Sequence, residues 1–215
     1  MSAEEALEEI AAEVRVCTKC DLCLNTKNGV PGEGSPHAEV LFIGEAPGFH
    51  EDRQGRPFVG PAGHFLNELL GSVGLDRSTV FITNVVKHRP PENRDPLPDE
   101  IAACSDYLTR QIAALNPKVI VTLGRYSMAR FFPGAKISAI HGQAKKVDGR
   151  VVVAMYHPAA ALHQQSLKQT VIDDFKRAIP PALAEARRLE AEGKLGPTDS
   201  KNDDEGEPPK QLSLF

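Results

Sequence analysis

Four short apolar runs constrain this chain more than any other feature: residues 40–43 (VLFI), 80–83 (VFIT), 119–123 (VIVTL) and 151–155 (VVVAM). Each is too short for a helix and apolar throughout, the pattern of a strand covered on both faces of a parallel sheet. The runs end abruptly, at Gly44, Asn84, Gly124 and the pair His157-Pro158. Between them lie stretches of helical spacing: residues 62–73, with Phe65, Leu66, Leu69 and Leu70 on one side and Gly74 as C-cap, then 99–115 and 125–132. An amphipathic helix is expected over residues 3–16 and a long charged one over 169–192, broken or kinked by Pro180-Pro181. Strands alternating with helices predict an α/β fold, a central four-stranded parallel sheet flanked by helices. In such folds ligands bind beyond the carboxyl ends of the strands. Gly44, Asn84 and His157 should therefore converge on one edge of the sheet.

The 215 residues are enough for one domain and a tail. The domain is expected over residues 1–192. Residues 193–210 are Gly, Pro, Asp, Glu, Asn and Lys with almost nothing apolar, which predicts a disordered linker. The linker leads to an apolar pentapeptide at 211–215. A net charge of -4 excludes binding to nucleic acid through bulk charge and leaves only a local basic face. No apolar run approaches the roughly 20 residues a membrane span needs. The acidic start, Met1-Ser2-Ala3-Glu4-Glu5, lacks the basic and apolar regions of a signal peptide. A cytoplasmic monomer is the expectation, and in that compartment four cysteines favour metal or redox chemistry over disulfides.

Cys17-x-x-Cys20 has the spacing with which two thiolates grip one metal centre from a tight turn. Cys104, His88 and Cys23 are candidate further donors; a zinc site or reduced buried thiols remain the alternatives. Gly44-Glu45-Ala46-Pro47-Gly48 follows the first strand without the Lys-Ser/Thr of a phosphate loop, so it is either a tight turn or a wall that aims Glu45 into the cleft. Phe58, within Gly55-Arg56-Pro57-Phe58-Val59-Gly60, is a core residue or a stacking surface. Asn84 is a turn former or an amide that reads a polar ring. His157 is a general polar residue or a donor at the last strand's end. Lys87, Arg89 and Arg94 lie in a proline-stiffened basic loop, either solvated or in contact with phosphates.

In this order, the segments at 44–48, 55–60, 83–87 (TNVVK) and 157–158, with the C-x-x-C before them, resemble the family 4 uracil-DNA glycosylases, the iron–sulfur branch of the uracil-DNA glycosylase superfamily. The resemblance covers about residues 13–180. It implies a monofunctional enzyme that flips uracil out of DNA and hydrolyses its N-glycosidic bond. By the same resemblance Glu45 positions or activates the attacking water, Gly44 and Ala46 line the base pocket, and Phe58 stacks on the flipped uracil. Asn84 pairs with O4 and N3–H, and His157 contacts O2. Ala46 stands where some sister families place a catalytic Asp or Asn. Lys87 and Arg89 would contact phosphates. The wedge that fills the vacated duplex position would be Leu162, one residue beyond the usual place, which here is Ala161. Residues 89–98 hold no histidine of the kind one branch uses to bond the sugar covalently, so turnover is expected.

The family's [4Fe–4S] cluster is held by four cysteines. Here the implied ligands are Cys17, Cys20, His88 and Cys104, with histidine at the third position, or Cys23 in place of His88. The peptide Gln211-Leu212-Ser213-Leu214-Phe215 resembles the Q-L-[S/D]-L-F motif with which bacterial DNA enzymes dock on the sliding clamp; Gln211, Leu212, Leu214 and Phe215 would make the contact. Two rival readings are a thiol or flavin redox protein and a non-catalytic iron–sulfur DNA-binding module. The first is weakened because Cys17 precedes the first strand; the second, because Glu45, Asn84 and His157 exceed what simple binding needs.

Overall fold

The computed structural model describes residues 1–195. The pentapeptide at 211–215 and most of the expected linker lie outside the described residues. In chain order the strands are β1 (Glu33–Gly34), β2 (Val40–Gly44), β3 (Phe81–Asn84), β4 (Val119–Leu123), β5 (Gln143–Val147) and β6 (Arg150–Met155). The helices are α1 (Ala3–Arg15), α2 (Phe49–Gln54), α3 (Pro61–Ser72), α4 (Pro98–Leu115), α5 (Arg125–Ala129), α6 (Ile137–Ile140), α7 (Pro158–His163) and α8 (Ser166–Ala191).

The sheet order is β1-β3-β2-β4-β6-β5. Its four inner strands are parallel, in register Leu41 with Phe81, Leu41 with Ile120 and Val121 with Val153. These are the four strands expected, and every residue of β2, β3, β4 and β6 is buried. The sheet is nevertheless six-stranded, because β1 and β5 add antiparallel edges. Neither edge has an apolar run. β1 is two residues long, and β5 reads QAKKV with Ala144 alone buried. Edge strands face solvent, and lysines there discourage pairing with a second chain.

Side chains alternate across the sheet and build two cores. Val40, Phe42, Val119, Val121, Val151 and Val153 pack with Phe65, Leu66 and Leu69 of α3 and Phe175, Ile179 and Ala182 of α8. Leu41, Ile43, Ile120 and Val152 pack on the other face with Ile10 and Val14 of α1 and Tyr107, Leu108 and Ile112 of α4. Helix α1 is capped by a reciprocal Ser2–Glu5 box and tied to α4 by Arg110, which donates to both carboxylate oxygens of Glu13 at 2.7 Å.

Helix α8 runs unbroken from Ser166 to Ala191 through Pro180 and Pro181, so the prolines do not break it. Its buried stripe of Val171, Phe175, Ala178, Ile179, Ala182, Ala186 and Leu189 presses on the sheet along its whole length. Prolines withhold backbone donors at two positions, and the burial of seven side chains outweighs that local cost. No described helix is long and apolar enough to cross a membrane.

Candidate active site and metal centre

Beyond the carboxyl ends of β2, β3, β4 and β6 lies a cleft of about 670 Å³. Glu45, Ala46, Phe58, Asn84, Asp95, Arg125, Tyr156 and His157 are among the residues that line it. The topology accounts for the meeting. Glu45 and Ala46 follow β2, Asn84 ends β3, Gly124 and Arg125 follow β4, and Tyr156 and His157 follow β6.

Asn84 is 1% exposed, and its Oδ1 has no hydrogen-bond partner. A buried acceptor without a donor costs about 1–3 kcal/mol unless a ligand supplies one. Gly44 does not line the cleft but backs it: a Cβ there would stand 2.3 Å from Asn84 Oδ1 and 2.7 Å from the Phe58 ring. Only hydrogen lets the amide and the ring approach so closely.

Phe58 is buried and holds φ at 51°, a left-handed conformation unusual for an aromatic residue. Its loop is braced from two sides. Arg77 donates to the Phe58 carbonyl at 3.0 Å and also to that of Pro57. Glu51 accepts from the amides of Val59 and Gly60 at 2.8 Å each and from Gly48 at 3.1 Å. The helix α3 also presses on the loop, since a Cβ at Gly63 would overlap the Phe58 carbonyl.

The His157 ring lies 5.5 Å from that of Phe58, tilted by 26°. Its Nδ1 accepts from the Ala159 amide at 3.1 Å, so a neutral ring carries its proton on Nε2. Burial pushes its pKa down to about 4, with Glu51 opposing, and the ring is neutral near pH 7. Gly124 makes room for it: a Cβ there would come within 3.2 Å of the His157 Cβ. Glu45 moves in the opposite direction. Burial and, next, the Asp95 carboxylate raise its pKa to about 7, while Arg125 opposes. Arg125 also donates to Asp95, so the two form an ion pair on the cleft wall.

Lys87 requires a correction. Its ammonium does not reach solvent or phosphate; it is fully buried and donates to Thr83 Oγ1 and the Asn84 carbonyl at 2.7 Å and to Gln111 Oε1 at 2.8 Å. Its long stem points inward beneath β3, where three oxygens replace water. Arg94, expected in the same basic loop, is held by Glu100 through two bonds of 2.9 and 2.6 Å. Arg89 is half-buried beside the exposed ring of Phe49. Leu162 projects from α7 at 45% exposure, next to cleft residues Ala160 and His163.

The cysteines gather under the loop that follows α1. Cys17 and Cys104 are buried, Cys20 half-buried, and all are free thiols. Burial raises the pKa of Cys20 and of Cys104; Cys17 adds to both, and Cys23 adds to Cys20. Backbone amides of Lys19 and Lys87 point at the sulfurs of Cys17 and Cys104, at 3.5 and 3.4 Å. Thiolate ligands of iron–sulfur centres accept such bonds. His88 is buried, and burial lowers its pKa against the opposing charge of Asp52. Among the described residues no three His, Cys, Asp or Glu side chains are arranged around a single ion.

Glu51, Asp95, Arg125 and Tyr156 are absent from the expectations drawn from sequence. The one available signal was Gly48-x-x-Glu51 at a helix start, the spacing at which a glutamate side chain reaches back to the N-cap amide.

The sequence pattern of the Uracil DNA glycosylase superfamily matches residues 31–179. A type-4 uracil-DNA glycosylase of Sulfurisphaera tokodaii is 47% identical over 195 residues, covering 85% of this chain and 88% of the relative. Those of Archaeoglobus fulgidus and Saccharolobus solfataricus are 47% and 48% identical, covering 80% of this chain and 92% and 84% of their own. With identity sustained across nearly the whole folded region, the chain belongs to the uracil-DNA glycosylase superfamily, in its type-4 branch.

Proposed function

We infer that this protein is a uracil-DNA glycosylase of base-excision repair, which hydrolyses the N-glycosidic bond of a uracil nucleotide flipped from DNA. The observation that carries the reading is the unpartnered Oδ1 of buried Asn84, in the cleft that Phe58 and a neutral His157 also line. The Asn84 amide offers an acceptor for N3–H and a donor for O4, a pairing that cytosine cannot match. Phe58 supplies a face for the pyrimidine, held in its strained conformation by Glu51 and Arg77. His157 presents Nε2–H to O2. As the bond to C1′ breaks, both bonding electrons leave with the base and charge collects on O2. A fixed donor there is worth roughly 3–4 kcal/mol by analogy with oxyanion holes. Glu45, as carboxylate, orients a water toward C1′ and takes its proton. Uracil and an abasic sugar are the products.

The donor set of Cys17, Cys20 and Cys104 with His88 fits the family's [4Fe–4S] cluster. Cys17 and Cys20 both bear on the pKa of Cys104, so thiols from the loop and from helix α4 share one neighbourhood; His88 is proposed as the fourth ligand, with Cys23 as the alternative. Held by these residues, a cluster would cross-link the loop at 17–29 to helix α4, and the hydrolysis needs no step from it. The pentapeptide at 211–215 is proposed to dock on a replication sliding clamp, with Leu214 and Phe215 as anchors. A Leu214→Ala, Phe215→Ala double variant should then lose clamp pull-down while excision on short oligonucleotides is unchanged.

An oligonucleotide panel carrying uracil, hypoxanthine, xanthine or thymine tests the main reading. Release of free uracil, with alkali-labile strands only where uracil stood, is expected. No release of any base would overturn it.

A further inference from the structure

In a chain of net negative charge most arginines are neutralised by the fold. Arg56 and Arg77 meet Glu33, Arg94 meets Glu100, Arg110 meets Glu13 and Arg125 meets Asp95. Two arginines near the cleft differ. Among the described residues Arg53 makes no side-chain ion pair, and Arg89 has only an amide partner, Asn93 Oδ1 at 2.7 Å. Their guanidinium carbons stand 5.4 and 5.3 Å from the centroid of one ring, that of Phe49.

Phe49 is 46% exposed. Its exposure is not a by-product of packing, because helix α2 buries Glu51 and Asp52, not its first residue. Both ends of the patch border the cleft: Gly48 precedes Phe49, Pro90 follows Arg89, and both Gly48 and Pro90 line it. An exposed aromatic ring flanked by two uncompensated cations is complementary to a stretch of unpaired DNA strand. The ring offers a π-face to a base, and the guanidiniums offer donors to the phosphates on either side. The sign of the charge excludes acidic protein surfaces less well than it favours phosphate, but only nucleic acid brings planar bases and anions at a regular spacing.

We propose that Phe49, Arg53 and Arg89 form a platform on which a base of the DNA strand stacks, beside the cleft and distinct from the pocket that takes uracil. The proposal rests on the DNA reading above and names where the strand outside the pocket is held. Arg89 thereby keeps the phosphate role expected from sequence, and Arg53 takes over the one that buried Lys87 cannot fill.

The chain contains no tryptophan, so Phe49→Trp places a single indole on the patch. A single-stranded oligonucleotide without uracil is titrated in, and binding is followed independently by the anisotropy of a dye on the DNA. Indole emission should fall in step with binding. Phe49→Ala should weaken binding about 5- to 150-fold. Arg53→Gln and Arg89→Gln should each flatten the dependence of log affinity on log salt by about 0.7. Binding with unchanged emission, equal affinity in Phe49→Ala, or no binding to DNA at all would each overturn the platform. Neither uracil nor turnover enters these measurements. Quenching without uracil release from any substrate would sink the enzyme reading alone, and uracil release without quenching would sink the platform alone.

Discussion

At Glu45 two neighbours pull in opposite directions. Burial and the Asp95 carboxylate favour the protonated acid; Arg125 favours the carboxylate, and the pKa settles at about 7. A general base must be deprotonated to accept a proton, so excision should rise with pH through this value. Below it the single-turnover rate should fall about tenfold per pH unit, and above about pH 8 it should level off. His157 does not confuse the profile, because it is already neutral well below this range. Asp95→Asn removes the like charge and releases Arg125 from its pair. Both changes lower the Glu45 pKa, so the rising limb should move to lower pH. A profile flat from pH 5 to 9 would remove Glu45 from the role of base. Asn84 sets a second test at the same scale. Asn84→Asp replaces the donor to O4 with an acceptor and should weaken uracil excision by about 1–3 kcal/mol while relaxing discrimination against cytosine, whose exocyclic amine is a donor. Unchanged uracil activity in that variant would reject the assignment.

Helix α2 shows how an element acts through its neighbours. Glu51 is nearly buried, and both its oxygens are spent on backbone amides: two of the Phe58 loop and that of Gly48, the helix's own cap. Glu51→Gln keeps the volume but turns an N–H against an N–H. Loss of a charge-assisted bond of this kind costs about 1.5–3 kcal/mol, or roughly 3–12 °C in melting temperature for a chain of this size. Uracil binding should weaken more than the stability loss alone explains, since Phe58 needs the brace to hold φ at 51°. KM and melting temperature measured on the same variant check this; a fall in melting temperature with KM unchanged would make Glu51 a cap and nothing more. The same element marks the limit of what the sequence revealed. The inner strands were legible because both their faces are buried and uniform apolarity is then required. The edge strands β1 and β5 were not, because one-sided burial leaves almost no pattern in two and five residues. Glu45, Asn84 and His157 were placed at the cleft because strand ends predict where ligands bind, and Phe58, which lies between two helices, only by its resemblance to the family's stacking residue. Glu51 and Asp95 were not, since a carboxylate that braces a loop or tunes another acid looks like any surface charge until the loop is folded. Lys87 was misread for the converse reason: a lysine amid prolines and arginines resembles a basic loop, and only the oxygens of Thr83, Asn84 and Gln111 account for its burial.

On the scale of the molecule, the N-terminal 30 residues form a cover laid over α4 and the end of β3. Its apolar grip is slender: Ile10, Val14 and Leu22 are the large aliphatic residues that it buries before Val30. Polar bonds add to it, among them Arg110 on Glu13, the Val30 amide on the Lys87 carbonyl at 2.7 Å, and the Lys27 and Asn28 amides on Asp52 at 2.7 and 3.2 Å. A cross-link here would matter more than elsewhere, because metal binding to residues that are apart in the unfolded chain contributes directly to folding free energy. Cys17 and Cys20 lie in the cover, and His88 and Cys104 in the body it covers, so a cluster on these four spans the seam. His88→Ala should therefore lower iron content, and each 2 kcal/mol of binding energy lost should lower the melting temperature by roughly 4–8 °C. Proteolysis should then begin within residues 17–29 while the sheet survives. His88→Cys should keep the iron, its absorbance near 400 nm and the melting temperature, with a shifted potential, because thiolate replaces a neutral ligand. Iron analysis, visible absorbance and limited proteolysis on the two variants and on Cys23→Ala decide the ligand. Iron retained in His88→Ala but lost in Cys23→Ala would move the fourth ligand into the cover, and the seam would then be bridged by Cys104 alone.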